Sequence, residues 1–305
     1  MKIGIGSLLV GDPETTLDAL VGEVKQAEAE GFAFFSLPNI FGFDAISVLA
    51  LAGRETKRIE LATGVTPTPP RHPFAIAQQA LTAQAACKGR FVLGIGLSHK
   101  IVIENMLGLS YAQPAKQMRE YLEVLMPLAQ GKPVAFQGDL YRVNGALNCA
   151  GGTPLPVVVA ALGPKMLEVA GRLADGTATW MTGTKTLADH TVPTINKAAK
   201  DAGRPAPRVI AALPFALTSD PAGARDVANK IFAIYGQLPS YRAMLDREGA
   251  ANPADVGIVG DEATLRAGIT RLQGAGVTHF LASVYPADAG CVERTKAFLK
   301  GELPS

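Results

Sequence analysis

The chain has 305 residues, 48% of them hydrophobic and 18% charged, which is ample to bury a large core and excludes a disordered protein. A net charge of +2, with no run of Lys or Arg, leaves no electrostatic footprint for nucleic acid or an anionic membrane. Cys87, Cys149 and Cys291 and the four histidines (72, 99, 190 and 279) are scattered without metal-ligand spacing. They read as reduced packing thiols and isolated imidazoles, so no metal centre is expected.

The pattern alternates short β-rich runs with longer helical ones. KIGIGS reads as a first strand, and TTLDALVGEVKQAEAEG as an amphipathic helix ending at Gly31. FAFFSL is a second strand, followed by a helix over DAISVLALAGRE with Asp44 as N-cap. RIELATGV is the third strand. Prolines 67, 69 and 70 then predict an irregular loop, before Pro73 opens the helix PFAIAQQALTAQAACKG. RFVLGIGL is the fourth strand, with PAKQMREYLEVLMPLAQG as its helix.

PVAFQGDLYRVNGA alternates with period two about Gly138-Asp139, which predicts a small hairpin between units. LPVVVAAL is a fifth strand leading to the helix PKMLEVAGRLADG, and TATWMT a sixth. TKTLADHTVPTINKAAKDAG is helical but bent or divided by Pro193. RVIAALPFAL is the seventh strand and GARDVANKIFAIYGQ its helix; an irregular stretch with one short helix then occupies residues 237–258. EATLRAGITRLQGAG is helical, VTHFLASVYP the eighth strand, and GCVERTKAFLKG the last helix. Eight strands that each lead into helices, with apolar runs suited to burial on both faces, predict a closed (β/α)8 TIM barrel in one domain, residues 1–305. The opening MKIGIGSLLVGDPETT has too short an apolar run to span a bilayer and lacks the layout of a signal peptide, so a cytoplasmic location is expected.

In such barrels the active site lies where the strands end. Those segments read PNIFGF, GVTPTPPRHP, GLSHK, AALGPKM, TG and YP, and they are poor in Asp and Glu. Paired-carboxylate hydrolysis has no support here, and no Gly-x-Ser-x-Gly elbow occurs. In AALGPKM, Gly163 permits a tight turn and Pro164 can open a helix whose first amides lack partners, which is the makings of a phosphate or carboxylate cradle as much as an ordinary turn. GIGLS does not complete a dinucleotide fingerprint. His99 after strand four, Asn39 after strand two and Tyr285 after strand eight are the polar candidates, each equally readable as a surface group. Trp180 reads as core or pocket wall.

Taken in order, LATGVTPTPPRHPFAIAQQALTAQ, GRFVLGIGLSH, MREYLEVLMPLAQG and PVVVAALGPKMLEVAGRLADG resemble the luciferase-like monooxygenase superfamily over nearly the whole chain. Within it they are most similar to the oxidoreductases that use coenzyme F420, a deazaflavin. The resemblance implies a non-prolyl cis peptide at Gly64-Val65, with Thr66 following, as a bulge behind the deazaflavin ring. It places Gly96, Leu97 and Ser98 beside that ring, and makes Ala160, Ala161, Leu162, Gly163, Pro164, Lys165 and Met166 a phosphate cradle. It also implies a homodimer.

Two departures mark this chain. Methylene-tetrahydromethanopterin reductases and sugar-phosphate dehydrogenases of this branch end strand two with an acid and often a histidine, where this chain has Pro38 and Asn39. The dehydrogenases carry a glutamate where this chain has His99, and no basic set for a sugar phosphate is evident. The expectation is therefore an F420-dependent oxidoreductase passing a hydride between the deazaflavin and a different small organic substrate, with His99 as the polar participant and Asn39 orienting. The alternatives are an FMN-dependent monooxygenase and a non-catalytic flavin-binding barrel.

Overall fold

In the computed structural model, which describes residues 1–9 and 11–303, eight parallel strands close into a barrel. They are β1 (Lys2–Gly6), β2 (Phe34–Leu37), β3 (Glu60–Thr63), β4 (Phe91–Gly96), β5 (Val157–Ala160), β6 (Gly176–Trp180), β7 (Arg208–Leu217) and β8 (His279–Val284). Each pairs with the next in chain order, and β8 returns to β1 with Lys2 opposite His279. Helices cover the outside, as burial of both faces of a parallel sheet requires. Several start where the sequence places a capping side chain: Thr16, Asp44, His72, Asp220 and Asp261 each accept from a first-turn amide.

Strand alternation sorts the interior into three layers. At the bottom, Arg208 Nη1 lies 2.9 Å from Glu60 Oε1, with Lys2 and His279 beside that carboxylate. Above it, Phe34, Ala62, Val92, Val158 and Ile210 form an apolar plug. Gly4 is required there, because a Cβ on it would sit 2.5 Å from the Phe34 ring. The next inward positions are Gly6, Ser36, Gly94, Ala160 and Ala212, all small, with Gly96 following on the same face of β4. The barrel interior is thus filled by bulky side chains below and lined by small ones above, in its C-terminal half.

The connections follow the sequence reading at the hairpin, the Pro193 division and the helix within 237–258, and depart from it elsewhere. The hairpin forms as expected, Val134–Gln137 against Arg142–Gly145. The 184–203 helix is divided before Pro193, into Thr184–Thr186, a π-helical turn Leu187–Thr191 and Val192–Asp201. The helix after β7 runs from Pro221 to Ile231, not to Gln237, because Phe232 turns in to meet Trp180. The 237–258 stretch contains a helix, Pro239–Glu248, and Ile258–Gly260 adds a strand at the end of β7. Ile101–Met106 winds as a π-helical turn, a window too short for any period to reveal. No helix among the described residues is long and apolar enough to cross a membrane.

Candidate active site

The end of β3 breaks in a defined way. The Gly64–Val65 peptide is cis. Before it, the Thr63 hydroxyl donates to the Gly94 carbonyl at 2.7 Å and accepts from the Gly94 amide at 2.8 Å, tying β3 to β4. After it the chain rejoins β4, Thr66 opposite Ile95 and Pro67 opposite Gly96. The proline-rich stretch therefore begins as a continued ladder instead of the irregular loop expected. Thr68, set between two prolines, supplies the donor, to the Gly96 carbonyl at 2.8 Å. Two sequence features make room for this bulge. A Cβ on Gly64 would lie 2.3 Å from Ser36 Oγ, and one on Gly96 would lie 2.8 Å from Val65 Cγ2 and 3.1 Å from Ala160 Cβ. Val65 rests half-buried on the glycine pair of β4, while Thr66 Oγ1 is buried without a partner.

The end of β5 presents the expected turn. Gly163 is extended (φ −77°, ψ 156°), and the helix Pro164–Leu173 begins with no side chain capping it. Pro164 has no N–H, so the Lys165 and Met166 amides are the first-turn donors without an intrahelical acceptor. Nothing lies within 4 Å of where a Gly163 Cβ would be, so the cradle is open. It is also braced from behind: His190 Nε2 donates to the Leu162 carbonyl at 2.9 Å, which fixes the Nε2–H tautomer. The Thr177 hydroxyl donates to the Val159 carbonyl at 2.9 Å. His190 is buried on the π-helical turn. The sequence reading left it among scattered histidines, since 28 residues separate it from Leu162 and only the fold joins them.

His99 follows β4 across a sharp turn, where Ser98 takes the left-handed backbone (φ 60°), uncommon outside glycine. The Tyr111 hydroxyl donates to the Ser98 carbonyl at 3.0 Å and holds that turn. Met181, just beyond β6, is also left-handed (φ 53°). Such backbone concentrates at functional sites. His99 is half-buried, and desolvation lowers its pKa, favouring neutral imidazole with one donor and one acceptor nitrogen. Its ring lies 5.7 Å from that of Tyr241, which reaches in from Pro239–Glu248. Asn39 Oδ1 accepts from the Ala45 amide at 3.0 Å, which orients the side chain with its amide nitrogen still to be partnered. Tyr285 is buried, and its hydroxyl donates to the Ala224 carbonyl at 3.1 Å, away from the mouth.

Acids near the rim are already engaged. Asp44 caps its helix and pairs with Arg71, and Glu248 accepts from the Lys185 and Thr186 amides. No group of three or more metal-ligating side chains occurs among the described residues. The mouth thus combines a small-residue lining, a bulged wall, an uncapped helix start and a half-buried imidazole. It suits a flat cofactor with a phosphate on its tail better than acid–base hydrolysis.

The profile of the luciferase-like monooxygenase family matches residues 2–297. A 5,10-methylenetetrahydromethanopterin reductase of Archaeoglobus fulgidus is 34% identical over 183 residues, covering 58% of this chain and 52% of the relative. An F420-dependent glucose-6-phosphate dehydrogenase of Nakamurella multipartita is 33% identical over 162 residues, 51% of this chain and 48% of the relative. The chain thus spans about half the length of these two curated relatives. The coenzyme F420-dependent tetrahydromethanopterin reductase of Methanopyrus kandleri superposes with a TM-score of 0.83 at 24% identity, over 99% of this chain and 98% of that one.

Proposed function

The chain belongs to the luciferase-like monooxygenase family, and from that premise we propose that it is a coenzyme F420-dependent oxidoreductase acting on a small organic molecule. The observation that carries this reading is the pairing of an uncapped helix start at Gly163, Lys165 and Met166, with open space at Gly163, and a bulge at Val65 seated on Gly94 and Gly96. Relatives named as F420-dependent enzymes support the choice of cofactor.

The residues present fit the group. Thr66 Oγ1 is a buried polar atom lacking a partner beside the bulge, and the cradle amides have no acceptor of their own. In this reading Gly163, Lys165 and Met166 hold the phosphate through backbone N–H, on the approach from Ala160 through Leu162 and Pro164. Val65, Thr66, Gly96, Leu97 and Ser98 flank the ring. When bound, the deazaflavin supplies a hydride. The chain's own residues orient the partner and exclude water. His99 offers a donor and an acceptor nitrogen at the mouth, and Asn39 contributes its amide nitrogen. A homodimer belongs to the same reading and is checked by light scattering of the purified protein.

Titration of the purified chain with F420 and, separately, with FMN tests the proposal. Saturable deazaflavin binding that is weakened by Gly163→Val is the expected result. Tight FMN binding with no deazaflavin binding refutes it in favour of the flavin monooxygenase reading.

A further inference from the structure

Barrel geometry sets β7 opposite β3, four strands away in either direction, so the segment after β7 faces the Gly64–Val65 bulge across the mouth. That segment, together with the end of β6, carries a run of aromatic rings. Tyr241 stands against His99 at 5.7 Å and against Tyr235 at 5.0 Å; Tyr235 meets Trp180 at 5.7 Å, and Trp180 meets Phe232 at 5.4 Å. Three of these contacts are edge-to-face, and Trp180, Phe232, Tyr235 and Tyr241 all remain partly exposed. Burial raises the Tyr235 and Tyr241 phenols, so both stay protonated donors through the neutral range.

The charged groups next to these rings make contacts of their own. Lys100, adjacent to His99, pairs with Glu104 at 3.6 Å. Arg242, adjacent to Tyr241, holds Asp246 and the Ala250 and Ala251 carbonyls. The rim beyond is apolar, with Phe41, Phe43, Ile101 and Met106 exposed. The rings of the wall themselves carry no formal charge in the neutral range. A planar uncharged substrate finds ring faces, apolar rim and neutral donors.

We propose that this wall is the substrate half of the site, and that it takes an uncharged aromatic or conjugated ketone, ring against Trp180, Tyr235 and Tyr241, oxygen at His99 and Tyr241. This rests on the oxidoreductase reading for its role but is tested by binding alone. Calorimetric titration of the full chain with acetophenone, with glucose 6-phosphate as the charged comparator, should show saturable binding of the ketone only. Trp180→Ala should weaken that binding by about tenfold, and Trp180→Phe, which keeps a ring, should restore most of it. If Trp180→Ala does not fold, as judged by thermal melting, Tyr241→Leu carries the same expectation. Preference for glucose 6-phosphate, or ketone affinity unchanged in both wall variants, overturns the inference. A parallel F420 titration separates the two readings. Deazaflavin binding without ketone binding sinks this inference alone. Wall-dependent ketone binding without deazaflavin binding sinks the cofactor assignment alone.

Discussion

Gly96→Ala tests the architecture of the bulge most directly. The new methyl carbon would stand 2.8 Å from Val65 Cγ2 and 3.1 Å from Ala160 Cβ, whereas carbon atoms in contact prefer about 3.5–4.0 Å. Val65 is β-branched and held on the glycine pair, so it cannot rotate away freely. Overpacking of this kind costs about 1–3 kcal/mol. Removing the offending methyls with Val65→Ala, which alone costs on the order of 1 kcal/mol at a half-exposed site, should relieve the crowding. Urea unfolding of the four proteins should therefore give a favourable coupling of about 1–2 kcal/mol in the double-mutant cycle, with the slope m unchanged. Deazaflavin affinity should fall about tenfold in Gly96→Ala, because the displaced Val65 enters the mouth, and recover in the double variant. Strict additivity, with Gly96→Ala as stable as the parent, would refute the claim that glycine is there to seat Val65.

His190→Leu removes the donor behind the cradle and leaves the Leu162 carbonyl unpaired; it should weaken deazaflavin binding several-fold in a fluorescence titration while the chain remains folded. His279 sits buried at the bottom of the barrel, where desolvation outweighs the nearby Glu60 and pulls its pKa down to about 4. The unfolded chain, with a pKa near 6.5, takes up a proton that the folded one refuses, so stability should drop as pH falls from about 6.5 to about 4, by up to about 3 kcal/mol. His279→Gln should flatten that portion of a urea-midpoint profile against pH; an unchanged slope would assign the pH dependence elsewhere. The Glu28 carboxylate accepts from the amides of Lys57, Arg58 and Ile59 at the entry to β3. Glu28→Ala should cost about 1–3 kcal/mol in the same assay, and a neutral result would mean that water replaces it without loss.

Much of the frame was legible. Alternating apolar runs and helical stretches pointed to eight βα units, and capping residues such as Asp44 and Asp261 marked helix starts where they occur. The ends of strands three, four and five pointed to the mouth, because the order of strands in a barrel follows the order in the chain. What escaped was short or non-local. The π-helical turns at 101–106 and 187–191 are too brief to carry a period. Thr68 completing a ladder between prolines depends on Gly96 lying alongside. Tyr241 lay within a stretch read as irregular, yet it stands beside His99.

The sequence by itself determined the fold class and the order of the strand ends around the barrel mouth, because these depend on local periodicity and capping. Only the tertiary structure decided which side chains share the mouth. His190 behind Leu162, Val65 on Gly94 and Gly96, and the Trp180–Tyr235–Tyr241–His99 wall each join residues distant in the chain. Their meeting is set by barrel closure and register, which bring loops from opposite strands within reach of one another, and no local pattern in the sequence encodes that distance.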